Sequence, residues 1–160
     1  MKFNLPKCRI SDKKGGFLKY DFSFSGLKTA VLRLVEKLSV DEKTVPVPDI
    51  AASFERLVAE VLVERTIRCA EDHCLEDVVV VGGVAANNRL RKMMINEASK
   101  KSIKVHLAPL DLCTDNAAMS GAAALFRIKF KDHLSSLKLG VSGRLSIEQA
   151  DTLYEEKPPF

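Results

Sequence analysis

The run Val78-Val79-Val80-Val81, stopped by Gly82-Gly83, constrains the fold of this chain more than any other segment. Four consecutive β-branched residues favour a strand. With no polar residue between them, that strand is expected to be covered on both faces, as in a parallel sheet. Asn87 then opens a helix that carries Leu90, Met93, Met94 and Ala98 on one face, and a second strand from Ile103 to Leu107 follows a lysine-rich end. Strand, helix and strand make a βαβ unit, whose crossover is right-handed almost without exception. The fold class expected is α/β.

The flanking segments fit that class. The first residues, 1–19, read as an irregular lead-in that contains the turn Lys13-Lys14-Gly15-Gly16, the irregular stretch ending near Asp21. Tyr20, Phe22 and Phe24 alternate with polar residues, which predicts a short half-buried strand. Leu27, Val31, Leu34 and Val35 then recur at helical spacing as far as Leu38, and the polar stretch Val40 to Val47 with Pro46 and Pro48 is a connection. Asp49 stands where a helix N-cap should be, and the following helix is expected to run to about Glu71. Its buried stripe would be Ile50, Phe54, Leu57, Val58, Val61 and Leu62, with Glu55, Arg56, Glu60 and Glu64 facing water. After Pro109 the segment Leu112-Cys113-Thr114-Asp115-Asn116 leads into a helix of small residues, Ala117 to Phe126, expected to pack deep between neighbours. Ser146-Ile147-Glu148-Gln149 fits a capping box, so the tail, 140–160, should hold a short helix ending near Tyr154.

Composition excludes several classes. A chain of 160 residues with 46% hydrophobic and 29% charged residues has the make-up of a globular domain with a real core. No apolar run approaches the roughly 20 residues that span a bilayer. Met1 to Pro6 lacks the apolar region of a secretory signal, so a cytoplasmic address and no membrane partner are expected. A net charge of +4 permits an anionic partner without announcing one. Cys8, Cys69, Cys74 and Cys113 contain no CxxC pair and should be reduced thiols. Cys69, His73 and Cys74 sit close together, but a metal site there needs further ligands that the sequence does not group nearby.

Two loops could carry chemistry. The segment Val81 to Asn87 joins the C-terminal end of a strand to a helix, the edge where ligands of open α/β sheets collect. Gly82 and Gly83 would let a nucleotide lie against bare backbone, and a helix N-terminus suits phosphate. Tight packing of strand and helix explains the two glycines about as well. Asn87 can cap the helix or offer its amide to a ligand. In the second loop Thr114 reads as an N-cap, which places Asp115 in the first turn of a helix. Asp115 then either only complements the helix dipole or holds a cation together with ligands from elsewhere.

Taken together these segments resemble one family. Asp21-Phe22-Ser23-Phe24-Ser25-Gly26-Leu27-Lys28-Thr29-Ala30, Asp49-Ile50-Ala51-Ala52-Ser53-Phe54, Gly82-Gly83-Val84-Ala85-Ala86-Asn87 with Leu90-Arg91, and Leu112-Cys113-Thr114-Asp115-Asn116-Ala117-Ala118-Met119 stand in the order and spacing of the tRNA threonylcarbamoyladenosine transferases, formerly called O-sialoglycoprotein endopeptidases or glycoproteases. The wording suggests a bacterial member, and among bacteria a cyanobacterial one. Members are roughly twice this long and have the fold shared by actin, sugar kinases and Hsp70, two α/β lobes closing over a nucleotide. The resemblance implies that residues 1–160 are a single lobe, the C-terminal one.

It also implies the chemistry. The full enzyme would move threonylcarbamoyl from threonylcarbamoyl-AMP to N6 of the adenosine next to the anticodon, in tRNAs reading codons that begin with A, together with accessory proteins of a tRNA-modification complex. Gly82 and Gly83 would wall the adenosine side of the cleft, Asn87 would contact the adenylate, and Asp115 would be one ligand of a divalent metal, iron or zinc. Lys28, Arg89, Arg91 and Lys92 are candidates to face tRNA phosphates, with steep salt dependence as the consequence.

The departures are as informative. The family's His-x-x-x-His metal pair has no counterpart in His73, His106 and His133, its Ser-Gly-Gly phosphate loop is absent, and Met119-Ser120-Gly121 replaces the commoner Met-Ile-Ala. The chain alone is therefore expected to bind metal and nucleotide poorly and to be inactive. There is no HExxH helix and no nucleophile elbow, which argues against peptidase chemistry. A non-catalytic lobe that binds a nucleotide or a partner protein, and a small-molecule kinase of the same fold, are the alternatives.

Overall fold

The structure, a computed structural model, describes residues 3–40, 44–131, 143, 144 and 146. The chain divides into two compact units, residues 1–114 and residues 115–160. The expected tail helix after Ser146 lies outside the described residues.

The first unit opens with a β-hairpin where an irregular lead-in was expected. Strand β1 (Arg9–Ser11) pairs antiparallel with β2 (Phe17–Phe22), with a register shift between Arg9 and Ser11. The turn is made by Asp12, whose Oδ1 accepts from the backbone N–H groups of Lys14 at 2.7 Å and Gly16 at 2.8 Å. An aspartate side chain that mimics a backbone turn in this way needs no hydrophobic pattern to announce it. Gly15 supplies the positive φ of 85° that the reversal requires. The strand predicted around Tyr20 exists, but it begins at Phe17 and ends at Phe22.

Helix α1 (Ser25–Val40) follows, with Leu27 only 1% exposed. Helix α2 (Val47–Asp72) is the axis of the unit. It begins two residues before Asp49, with Pro46 at the N-cap position, so Asp49 lies in the first turn and is not the cap. Proline cannot donate into a helix but is well suited to its first turn, where N–H groups are unpaired in any case. The predicted stripe is only part of the buried surface, because α2 serves two clusters. Leu57 and Val61 pack with Cys8 and Leu27, joined by Phe22, Phe24, Phe54 and Val58. Ala59, Val63, Ile67 and Ala70, on another face, pack with Val78, Leu90, Met94, Ala98 and Ile103. A helix buried on two faces shows a weak single-stripe signal.

Polar contacts tie the hairpin to this axis. Arg65 is buried and donates from Nη1 to the Lys19 carbonyl at 2.7 Å. At the far end Asp72 accepts from the Tyr20 hydroxyl at 2.9 Å and pairs with the Lys19 ammonium at 2.7 Å. Cys74 ends the helix in the left-handed region, φ 54°, while Leu75 N–H donates to the Ala70 carbonyl at 2.8 Å.

The βαβ unit is present. Strands β3 (Asp77–Val80) and β4 (Lys104–Leu107) pair in parallel, in the register Val78 to Val105 and Val80 to Leu107, and helix α3 (Asn88–Ser99) connects them. The four valines are not covered on both faces. Val78 is buried and Val80 half-buried against α2 and α3, whereas Val79 and Val81 are each 68% exposed. Within the described residues the two-stranded sheet has helices on one side only, and the period of two sends alternate valines outward.

In the second unit helix α4 (Ala117–Lys131) carries the small residues. Its N-cap is Asn116, whose Oδ1 accepts from Met119 N–H at 2.9 Å, and not Thr114. Asp115 therefore precedes the helix and does not sit in its first turn. Residues 117–126 are exposed and not packed deep. No helix among the described residues is long and apolar enough to cross a membrane.

Candidate functional site

The glycine loop lies where β3 ends. Gly82 has φ 88° and ψ 170°, a conformation essentially confined to glycine, so the backbone itself demands that residue. Gly83 is different. Its φ is not positive, and a Cβ built there meets nothing within 4 Å, as is also true at Gly82. Tight packing of strand against helix is thus not the reason for the pair. Space is open above both residues, and side chains are missing where something from outside could approach.

The loop does not run straight into a helix N-terminus. A 3₁₀ turn, Gly83–Ala86, intervenes, closed by Ala85 N–H to the Gly82 carbonyl at 2.9 Å and Asn87 N–H to the Val84 carbonyl at 3.0 Å. Ala85, 1% exposed, anchors it. Asn87 then caps α3, its Oδ1 accepting from Leu90 N–H at 2.9 Å. The other half of the same amide is also engaged, since Nδ2 donates to Glu55 Oε1 at 3.0 Å. Arg89 Nε reaches Glu55 Oε2 at 2.9 Å, and the bonds from Arg89 and then Asn87 hold the Glu55 carboxyl below its ordinary range. Of the two readings open for Asn87, capping is realised, and one N–H of its amide is left over. A small hollow of about 140 Å³ lies beside it, lined by Phe54, Val58, Leu62, Val84 and Leu90 among others.

Arg91, one turn into α3, points inward. Its Nη1 donates to the Ala85 carbonyl at 2.9 Å and approaches Cys113 Sγ at 3.8 Å, and its Nη2 donates to the Ala108 carbonyl at 3.0 Å. Arg91 is therefore no candidate for tRNA phosphates, and Arg89 is already paired with Glu55. Lys28 and Lys92 are exposed.

Gly82, Gly83 and Asn87 thus share one loop, with Glu55 and Arg91 as supports that sequence reasoning missed. Glu55 comes from α2, 32 residues earlier, and carried no local signal. Asp115 is exposed and belongs to the second unit. Among the described residues no group of three or more His, Cys, Asp or Glu could hold a metal ion. A metal centre needs three or four such ligands, so the residues here do not build one on their own. A larger cavity, about 550 Å³, lies between β1 and helices α2 and α3, away from the glycine loop. On its lining Arg68 pairs with Glu64 at 3.5 Å, and Glu71 pairs with Lys101 at 2.7 Å.

A parallel βαβ unit with an open glycine ledge at the carboxyl end of its first strand defines an α/β protein whose bare loop stands at the edge where ligands of open sheets collect. The family model for tRNA N6-adenosine threonylcarbamoyltransferase matches residues 2–122, and the chain belongs to that family. It is similar to proteins named tRNA N6-adenosine threonylcarbamoyltransferase from Prochlorococcus marinus. The identity is 91% over all 160 residues with strain MIT 9312, 78% over 160 residues with MIT 9515, and 58% over 159 residues with NATL1A. The chain spans 45% of the length of each of these relatives.

Proposed function

We propose that this chain is the C-terminal lobe of an actin-like two-lobed enzyme that transfers threonylcarbamoyl from threonylcarbamoyl-AMP to N6 of the adenosine next to the anticodon, in tRNAs reading codons that begin with A. The observation that carries the reading is the open ledge at Gly82-Gly83 in a chain whose match to the transferase family covers residues 2–122. With no side chain on the ledge, an adenylate can lie against the backbone, and the remaining N–H of Asn87 faces a ligand with its orientation set by Glu55. Asp115 is the carboxylate this chain offers to an iron or zinc ion, whose other ligands do not stand among the described residues. When bound, such a metal would stabilise charge on the transferred carbonyl. The acceptor implies a cytoplasmic enzyme with accessory protein partners.

On this reading the isolated chain is a non-catalytic half. The kinase alternative loses support, because the relatives compared carry the transferase name. The test places this chain in the matching part of the strain MIT 9312 relative and measures modified adenosine in tRNA by mass spectrometry of nucleosides. The chimera should modify tRNA and the isolated chain should not. An inactive chimera that folds, or turnover by the isolated chain, overturns the proposal.

A further inference from the structure

Arg91 joins segments that no backbone hydrogen bond connects directly. Ala85 lies in the 3₁₀ turn that follows the glycine ledge, Ala108 is the residue after β4, and Cys113 closes the connection that precedes Thr114. The guanidinium donates to the first two carbonyls at 2.9 and 3.0 Å, and its Nη1 stands 3.8 Å from the buried Cys113 sulfur. Cys113 in turn donates to the Pro109 carbonyl at 3.3 Å. Among the described residues no carboxylate pairs with Arg91, so its two Nη groups serve these carbonyls and not an ion pair.

The planar fork is what this arrangement needs. A guanidinium presents several donors in fixed directions and can hold two carbonyls at a set separation, which the single ammonium of lysine cannot do. The glycines themselves offer no side chain to hold, so the loop depends on restraints at its flanks: its own 3₁₀ turn, buried Ala85, the Asn87 cap and the Ala108 N–H bond to the Val80 carbonyl at 3.3 Å. We infer that Arg91 is a positioning residue: by clamping the turn at Ala85 to the β4 exit at Ala108 and Cys113, it fixes the shape of the ledge on which the adenylate is received. The inference rests on the proposed reading of the ledge for its functional half, and on the geometry alone for the clamp.

Two measurements test the two halves separately. In this chain, thiol labelling resolved by mass spectrometry follows Cys113, with buried Cys8 as the report on global unfolding. Removing hydrogen bonds of this kind costs enough to change local opening by about tenfold. Arg91→Ala should therefore accelerate labelling of Cys113 by about that factor and leave Cys8 unchanged, with Arg91→Lys in between. Cys113 labelled no faster than in the parent overturns the clamp. If Arg91→Ala accelerates Cys8 equally, the lysine variant decides by the same criterion.

In the full-length chimera, Arg91→Lys should raise KM for threonylcarbamoyl-AMP by about tenfold with kcat little changed, the pattern of lost binding shared by ground and transition states. A fall in apparent kcat with KM unchanged would mark loss of folded enzyme only and would overturn the positioning role. An inactive parent chimera would instead refute the functional reading, and the labelling would still decide the clamp.

Discussion

Asn87 Nδ2 donates to Glu55 Oε1 at 3.0 Å, so a residue in the first third of α2 sets the orientation of the amide that caps α3. The carboxylate is shared with Arg89, and each group in the trio fixes another. The cap, the ledge and the long helix are therefore one unit of structure.

Substitution at Asn87 should separate the two bonds. Asn87→Ala loses the cap and should cost about 1 kcal/mol in urea unfolding. Asn87→Asp keeps an acceptor for Leu90 N–H but sets a second carboxylate against Glu55, so it should keep the cap and lift the Glu55 pKa back toward its ordinary range. An unchanged Glu55 titration in Asn87→Asp, followed by NMR, would show that the amide bond does not hold Glu55.

The two glycines should respond differently to alanine. Gly82 occupies a φ of 88°, and a side chain there should cost about 1–3 kcal/mol. Gly83 has open space and no positive φ, so Gly83→Ala should change stability by less than about 0.5 kcal/mol. In the full-length chimera Gly83→Ala should nevertheless weaken threonylcarbamoyl-AMP binding, because the methyl group stands on the ledge. Equal thermal shifts for both variants would contradict the assignment of strain to Gly82 alone.

Acid should loosen the junction of hairpin and helix. The Lys19 and Tyr20 hydrogen bonds hold the Asp72 carboxyl below its ordinary 3.8. A depressed folded pKa contributes stability above the unfolded value and loses it as pH falls through the folded one, so the loss begins below about pH 4. On the alkaline side the Asp72 bond raises the Lys19 ammonium above 10.5, and that contribution is lost as pH rises beyond it. Asp72→Asn should flatten both limbs of the stability profile. A profile identical to the parent's would show that the pair is screened into irrelevance by solvent.

The two clusters around α2 should both be needed. Leu27 is 1% exposed in one and Met94 2% exposed in the other. Leu27→Ala and Met94→Ala should each cost about 2–5 kcal/mol in denaturant unfolding. A Met94→Ala variant that loses nothing would mean the α2 and α3 faces collapse freely onto the gap.

The βαβ unit was legible in the residues themselves, because Val78 to Val81, the Gly82-Gly83 stop and the Leu90-Met94-Ala98 face are local patterns with one period each. The order of motifs likewise carried the family, since each is a contiguous string. The hairpin at residues 9–22 escaped because one aspartate side chain makes its turn, and α4 begins at Ala117 as expected but takes its cap from Asn116 and not from Thr114, because both are good caps. Which face of the valine run is covered, and the partners of Asn87 and Arg91, could come only from the tertiary structure. Glu55, Ala108 and Cys113 are tens of residues from them in chain or on other elements, and periodicity reports which residues turn inward but not which ones they meet.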